Sequence, residues 1–293
     1  MRRAERVVFA LGPLGETRQP AALAQGADTV LITGAVQSNF VRSAAAAAAR
    51  LGLKSVLQLE ERVPGMGEIY YSSGNVLLSK ILGAEHISHP HGEDEVGADT
   101  ALQKRADALR SQGRTPYVIH LGIDHPPLGA LGYLAGADEL NRQISDFDVA
   151  VVPSGSGSTH AGFLTGLRLL GQTAPVFGIC VRRDQAQQKT RLKTVLKKLA
   201  DMLDIDPDLT TNDILTWDGA LAPGYGKVGS TTRDALTLMA RTEGVFLDPV
   251  YSAKTFAGLL GLLKEGRIQH GQKVIMLHTG GQPAIFGYQE ELE

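Results

Sequence analysis

Short runs of β-branched and apolar residues alternate with longer helical patterns along most of the chain. Residues 28–33 are predicted to form a strand, 41–51 a helix that ends at Gly52, and 55–59 the next strand. Such alternation predicts an α/β fold with parallel sheets covered by helices. The other predicted strands are 86–87, 116–119, 149–152, 176–181 and 273–277, and the other predicted helices are 75–82, 100–112, 131–144, 185–203, 231–242 and 255–264.

Composition excludes several classes of protein. The 293 residues are 43% hydrophobic, which allows a large core in one or two domains. A net charge of −2 does not indicate the positively charged surface that binds nucleic acid. No apolar stretch is long enough to span a bilayer. The single cysteine, Cys180, lies in an apolar strand pattern, which predicts a buried thiol without a catalytic role. One cysteine also fits a reducing compartment, and we expect a cytoplasmic protein.

A glycine-rich turn follows the predicted strand 149–152 and leads into a helical pattern. Strand, turn of small residues and helix in this order create an anion site, because free backbone N–H groups and the positive end of the helix dipole meet there. The expected guest is a phosphate, although an ordinary tight turn has the same sequence character. The turn consists of Gly155, Ser156, Gly157, Ser158 and Thr159.

Other polar loops follow predicted strands and mark the same kind of position. Ligands of parallel sheets bind beyond the carboxyl ends of the strands. The loops at residues 37–39 and 278–281 are therefore candidate site segments, and Tyr225 and Tyr251 lie in two further loops near helix starts.

Taken together, these loops resemble the pyridoxal-phosphate enzymes of the D-cysteine desulfhydrase and 1-aminocyclopropane-1-carboxylate (ACC) deaminase family, which includes L-cysteate sulfo-lyase. Seven segments match in the family's order and extend from about residue 22 to the end of the chain. They are residues 33–39, 73–75, 128–133, 154–162, 223–226, 243–251 and 278–284.

The resemblance implies a tryptophan-synthase-β-like fold, pyridoxal-phosphate (PLP) fold type II, with two open parallel-sheet α/β domains. The smaller domain is expected at residues 15–123 and the larger, cofactor-binding domain at 1–14 and 124–293, without the first strands of the family fold. It also implies a cofactor between the two domains, a homodimer, and a small amino acid as substrate.

The resemblance also assigns cofactor contacts. Backbone N–H groups of residues 155–159 would hold the phosphate, Asn39 would bond the ring hydroxyl, and Thr279 would face the pyridine nitrogen. A hydroxyl at that nitrogen, unlike a carboxylate, does not enforce a protonated ring, and the milder electron sink suits β-elimination. Asn39 could equally cap the alanine-rich helix, and Thr279 could belong to a simple turn.

Three residues are implied on the substrate side. Ser38 would contact the substrate carboxylate or help to move a proton, and Tyr225 and Tyr251 would line the substrate. Without the family context, Ser38 is an equally good helix cap, and half-buried tyrosines more often pack than catalyse.

Two positions favour one reaction within the family. The resemblance places a glutamate after the second tyrosine and a leucine before the double glycine in ring-opening deaminases, whereas this chain has Ser252 and Thr279. The implied reaction is α,β-elimination, with D-cysteine giving pyruvate, sulfide and ammonia. L-cysteate, which would give sulfite instead, is the alternative, and ACC deamination ranks below both.

The family's lysine that forms the Schiff base with the cofactor has no counterpart. Extending the match upstream places its position at Leu11, and no lysine lies between Met1 and Arg50. A misplaced or frame-shifted start is our preferred explanation. A catalytically dead binding protein is the second, and a substitute lysine, Lys254 or Lys227, is the third.

Two further patterns argue against other types of site. The glycines of the turn at 155–159 are out of register with a dinucleotide-binding Gly-x-Gly-x-x-Gly turn. No cluster of histidine, cysteine or carboxylate has metal-ligand spacing, and no metal is expected. His86, His89 and His91 are interpreted as solvated loop residues.

Overall fold

A computed structural model describes the chain from Gln19 to Glu293. Pro126–Gln282 forms one compact unit, and the described residues up to His125 form a second together with Pro283–Glu293. From the sequence, this last segment was expected in the larger domain. It groups with the smaller unit because the Tyr288 ring meets the Tyr70 ring edge to face, with 5.3 Å between centroids. The predicted contribution of residues 1–14 lies outside the described residues.

Each unit contains a four-stranded parallel sheet, and the predicted α/β fold is thereby confirmed. The smaller unit has the strand order β3-β2-β1-β4 and the larger unit β7-β6-β5-β8. The strands are β1 (Thr29–Ala35), β2 (Lys54–Glu60), β3 (Glu85–His89), β4 (Pro116–Ile119), β5 (Val149–Ser154), β6 (Val176–Cys180), β7 (Leu215–Trp217) and β8 (Val274–Met276).

Helices connect successive strands, as parallel pairing requires. Between Gln19 and Glu293, no helix combines the length and apolar character needed to cross a membrane. The helices are α1 (Gln19–Ala24), α2 (Asn39–Arg50), α3 (Glu68–Ser72), α4 (Gly74–Ile81), α5 (Glu95–Ser111), α6 (Leu128–Gln143), α7 (Ser158–Leu169), α8 (Gln185–Leu203), α9 (Asp208–Thr211), α10 (Ser230–Glu243), α11 (Ser252–Lys264), α12 (Ala284–Gly287) and α13 (Gln289–Leu292).

Small residues in the smaller unit bring α2 close to its sheet. Ala45 and Ala48 of the alanine run are buried in the core with Ile32 and Leu57. At the start of α2, a Cβ added to Gly34 would lie 2.7 Å from Val41 Cγ2. Only glycine therefore permits this approach, which places the loop between β1 and α2 directly at the end of the sheet.

Glycines also let α6 and α7 pack closely in the larger unit. A Cβ added to Gly162 would lie 2.1 Å from the carbonyl oxygen of Ala130, which is too close for any side chain. This contact fixes α7, whose first turn carries the predicted phosphate site. Cys180 ends β6 in the core, and burial raises the pKa of its thiol to about 12, as expected for a cysteine without a catalytic role.

Candidate active site

The glycine-rich turn has the backbone geometry of an anion site. It connects β5 to α7, and the N-cap residue Gly157 has the left-handed φ of 98° without a side-chain cap. Within the described part of the chain, the N–H groups of Gly155, Ser156, Gly157 and Thr159 donate no hydrogen bond. These amides and the positive end of the α7 dipole are therefore available to a bound anion.

Two arginines hold the carbonyl groups of this turn. Arg183 Nη1 donates to the Gly155 carbonyl at 3.3 Å, and Arg191 Nε donates to the Ser156 carbonyl at 2.8 Å. In a trans peptide the N–H points opposite to the C=O. The amides of Ser156 and Gly157 therefore point away from the guanidinium groups. Neither arginine was predicted from the sequence, because its role depends on where β6 and α8 lie beside the turn.

A buried polar group supports the turn from the core side. Ser154 Oγ lies 3.3 Å from His160 Nδ1 and accepts a hydrogen bond from Gln188 Nε2 at 2.9 Å. Burial lowers the pKa of His160 to about 4, so the imidazole is neutral near pH 7. A Cβ on Gly178 would lie 2.1 Å from His160 Nδ1, so the imidazole occupies space that only glycine leaves open.

Tyr225 and Tyr251, which are 26 positions apart in the sequence, meet in the larger unit. Their hydroxyl oxygens are 2.7 Å apart, so one phenol donates to the other. A Cβ added to Gly155 would lie 3.7 Å from Tyr251 Cε1, which places this ring against the glycine-rich turn. The Arg182 guanidinium lies 5.9 Å from the Tyr225 ring centroid. Two predicted substrate-side residues therefore lie together beside the predicted phosphate site.

A buried carboxylate fixes the position of Tyr251. Asp248 accepts hydrogen bonds from the backbone N–H groups of Val250, Tyr251 and Ser252 and from Ser252 Oγ. Burial raises the pKa of Asp248 in spite of these bonds. The Ser252 hydroxyl is thus engaged at the start of α11, where it also accepts a bond from the Asp248 amide at 2.7 Å.

Lys254 stabilises the loop that precedes Tyr225. Its buried ammonium donates to the carbonyls of Leu221 and Gly224, at 3.0 and 2.6 Å. Burial lowers the pKa of Lys254 to about 8. These two hydrogen bonds agree with a structural role for this lysine, whereas Lys227, the other candidate substitute, is exposed.

Thr279 follows the strand next to β5. Val151 pairs with Met276, and the Leu277 amide donates to the Val151 carbonyl, so β8 ends at the same sheet edge as β5. The Gly280 amide donates to His278 Nδ1 at 2.9 Å, which shapes the loop around the half-buried threonine. Thr279 and the glycine-rich turn therefore follow neighbouring strands of one sheet.

Ser38 and Asn39 lie at the carboxyl end of β1 in the smaller unit. Ser38 is the N-cap of α2, and its Oγ accepts a hydrogen bond from the Val41 amide at 3.2 Å. Asn39 Oδ1 accepts from Asn75 Nδ2 at 2.7 Å. The capping role is thus present, and the Ser38 hydroxyl keeps its own proton for a further donor contact.

Gln37 holds this loop in place, a role that its position in the candidate segment 37–39 did not reveal. Its buried amide nitrogen donates to the carbonyls of Tyr70 and Ser73, at 2.6 and 3.0 Å. Its side-chain oxygen accepts a hydrogen bond from the backbone N–H of Asn75 at 2.9 Å. The family segment at residues 73–75 was the one sequence signal for this role, because Asn75 forms hydrogen bonds with both Gln37 and Asn39.

The interpretation of three histidines needs correction. His86 and His89 belong to β3, and only His91 is an exposed loop residue. His86 Nε2 lies 2.9 Å from Ser79 Oγ, and burial is the main reason that its pKa is lowered. The strand predicted at residues 86–87 is present but extends to His89, beyond the prediction, because its polar residues lack the apolar pattern that marks where a strand ends.

Comparisons with known proteins bear directly on this arrangement. The model of the family described as "Pyridoxal-phosphate dependent enzyme" matches residues 13–280. The chain belongs to this family. Pyridoxal phosphate is the family's cofactor, and the resemblance stated from the sequence is confirmed.

Relatives with different reactions are similar to the chain. The 1-aminocyclopropane-1-carboxylate deaminase of Methylobacterium nodulans is 37% identical over 92% of this chain and 81% of its own length. The D-cysteine desulfhydrase of Salmonella choleraesuis is 38% identical over 91% of this chain and 80% of its own length. A crystal structure of an "ACC deaminase homologue" has a TM-score of 0.81 and 33% identity, covering 93% of this chain and 79% of that one. The chain is thus placed among the PLP-dependent lyases that include both activities.

Proposed function

We propose that the amides of residues 155–159 bind the phosphate of PLP and that the chain eliminates the β-substituent of a small amino acid, preferably D-cysteine. The observation that carries this proposal is the set of available amides beside the hydroxyl pair of Tyr225 and Tyr251. The described residues fit the cofactor because an anion site and hydroxyl donors occur together at one sheet edge of the larger unit.

Two further contacts orient the cofactor in this proposal. The Thr279 hydroxyl would form a hydrogen bond with the pyridine nitrogen, and the Asn39 side chain would form one with the ring hydroxyl. When bound, PLP supplies an electron sink for negative charge at the substrate's α-carbon. Because a threonine hydroxyl is neutral, the nitrogen contact does not require a protonated ring. The hydrogen bond from Asn75 Nδ2 to Asn39 Oδ1 orients the Asn39 side chain. We assign Asn39 Nδ2 as the donor to the ring hydroxyl.

The hydroxyl groups hold and move protons on the substrate side. In the Tyr225–Tyr251 pair the accepting hydroxyl keeps a proton that it can donate to a leaving sulfur. Ser38 Oγ already accepts from the Val41 amide, so its own O–H is left to donate to the substrate carboxylate. The balanced reaction converts D-cysteine and water into pyruvate, hydrogen sulfide and ammonia.

The substrate preference follows from the residue after Tyr251. Ring-opening deaminases have a glutamate there by family resemblance, whereas the Ser252 hydroxyl is engaged with Asp248. This position therefore offers no carboxylate to a substrate. D-cysteine is favoured over ACC for that reason, and L-cysteate is the alternative substrate with the same elimination chemistry.

A second candidate function is binding of PLP or an amino acid without turnover. It is favoured by the absence of lysine between Met1 and Arg50 and by the two carbonyls that engage the Lys254 ammonium. In this case the phosphate site is intact while the amine that forms the Schiff base is missing.

One experiment distinguishes these functions. The purified chain is titrated with PLP, reduced with borohydride, and assayed for pyruvate and sulfide with D-cysteine, for sulfite with L-cysteate, and for a four-carbon oxoacid with ACC. Sulfide release, together with covalent labelling of one lysine, supports the lyase. PLP binding without covalent capture or product supports the binding protein. Absence of PLP binding contradicts both proposals.

We also propose that the chain acts as a cytoplasmic homodimer. The family resemblance supports the dimer, and a single buried cysteine agrees with a reducing compartment. Light scattering of the purified chain should give twice the mass of 31.2 kDa. A monomer at micromolar concentration would contradict the dimer.

A further inference from the structure

One buried face of α8 lies along the glycine-rich turn. Gln188 Nε2 donates to Ser154, which ends β5, and Arg191 Nε donates to the Ser156 carbonyl. A Cβ added to Gly157 would lie 3.5 Å from Leu192 Cδ2 and 3.4 Å from Val195 Cγ2. The contacting residues are three or four positions apart and therefore share one side of the helix; they are Gln188, Arg191, Leu192 and Val195. Helix α8 thus sets the position of successive residues of the turn.

Arg191 is the charged member of this face. It is only 8% exposed, and its hydrogen bond to the Ser156 carbonyl is 2.8 Å long, as expected for a bond assisted by charge. The helix that carries it begins with a capping box, in which Asp184 and Gln187 bond each other's backbone N–H groups. The guanidinium group therefore has a fixed place behind the turn.

This hydrogen bond acts on the amide that follows Ser156. Among the described residues the cis peptide bond precedes Pro223, so the peptide between Ser156 and Gly157 is trans and its N–H points away from Arg191. A cation on the carbonyl oxygen polarises the peptide and strengthens its N–H group as a donor. Because Arg191 is buried, its attraction for an anion on the other side of this peptide is also weakly screened.

We propose that Arg191 is a positioning residue of the phosphate site. It holds the Ser156–Gly157 peptide with its N–H group toward the anion and makes that group a stronger donor, without itself contacting the phosphate. Arg183 acts in the same way on the preceding peptide, through a longer bond of 3.3 Å to the Gly155 carbonyl. The proposal rests on the assignment of this turn to the phosphate of PLP.

The part of the affinity that depends on the phosphate tests this proposal. Calorimetric titrations compare PLP with pyridoxal, which lacks the phosphate, in the unsubstituted chain, R191M and R191K. R191M should bind PLP about tenfold more weakly, the lower end for losing a hydrogen bond to a charged group, and should bind pyridoxal as before. R191K keeps a cation that can donate to the same carbonyl, so its PLP affinity should be within about threefold of the unsubstituted chain.

R168M is the matched control. Arg168 is another arginine with a buried side chain, 9% exposed, and it holds the carbonyls of Gln172 and Ala174 just beyond the end of α7. Urea titrations give the unfolding free energy of each variant. R168M should lose stability but keep the ratio of PLP affinity to pyridoxal affinity. If R191M does not fold, R191Q, which removes the charge but keeps a polar side chain, takes its place.

The amide resonance of Gly157 provides a signature that does not depend on the cofactor. In the free 15N-labelled chain, its proton should resonate further downfield than in R191M and at the same position as in R168M, because Arg191 polarises this N–H group. An unchanged Gly157 resonance in R191M, or an unchanged ratio of PLP to pyridoxal affinity, would overturn the proposal and leave the phosphate site standing. Equal affinity of the unsubstituted chain for PLP and pyridoxal would overturn the phosphate assignment and this proposal together.

Discussion

Gly157→Ala should separate the phosphate site from the general stability of the fold. Gly157 has φ of 98°, and its added Cβ would meet Val195 Cγ2 at 3.4 Å, an ordinary van der Waals distance. The main penalty is therefore conformational, about 1–2 kcal/mol for an L-residue in the left-handed region. If the turn of the free variant rotates to relieve this strain, PLP can bind only after the turn returns to the strained conformation, and the binding free energy is reduced by that amount. We expect PLP affinity to fall about tenfold, since 1.4 kcal/mol corresponds to a factor of ten.

Gly171→Ala is the matched control for this prediction. Gly171 also has positive φ, 76°, and nothing lies within 4 Å of its added Cβ. This variant should lose a similar unfolding free energy but keep its PLP affinity. Absorbance titration with PLP and with pyridoxal, which lacks the phosphate, measures both effects. Equal PLP affinity in G157A and the unsubstituted chain, or an equal loss in both variants, would refute the reasoning.

Three further variants test the support around the site. The pKa of His160 is about 4 in the folded chain and 6.5 in its ordinary state, so protons bind the unfolded chain first as the pH falls. Lowering the pH from 6.5 to 4 should therefore reduce the unfolding free energy by up to about 3 kcal/mol. Urea titrations of H160N should not show this loss. Burial lowers the pKa of Lys254 from 10.5 to about 8, so raising the pH from 8 to 10.5 should increase the unfolding free energy of the unsubstituted chain relative to that of K254M. If the unfolding free energies of the two proteins change in parallel with pH, the assignment is contradicted. Q37A removes the hydrogen bonds to the carbonyls of Tyr70 and Ser73 and the bond from the backbone N–H of Asn75, and it should lower the unfolding free energy by about 3 kcal/mol. The matched control is Q112A, which shortens an exposed glutamine.

Much of the fold was predictable because buried parallel strands have continuous apolar sequences. Strands β1 and β5 are buried at every position, and their sequence patterns identified them. The three-residue strand β7 was missed because Thr216 interrupts its apolar residues, whereas the equally short β8 lies in a continuous apolar run. Helix α2 begins at Asn39 and not at residue 41, because the Ser38 side chain caps it.

The site was predictable where its chemistry is local in sequence. The turn at 155–159 and the two tyrosines lie in recognisable segments. Arg191 was not predicted, because α8 has exposed lysines on one face and gives no sign that this buried arginine contacts Ser156. Tertiary packing, which brings α8 against the turn, creates that role.

Amide chemical shifts of the 15N-labelled chain test the central claim most directly. If the turn binds the cofactor's phosphate, adding PLP should shift the N–H resonances of Ser156, Gly157 and Thr159 downfield, and inorganic phosphate should shift the same resonances at higher concentration. Unchanged resonances at these residues, while PLP shifts amides elsewhere, would contradict the claim.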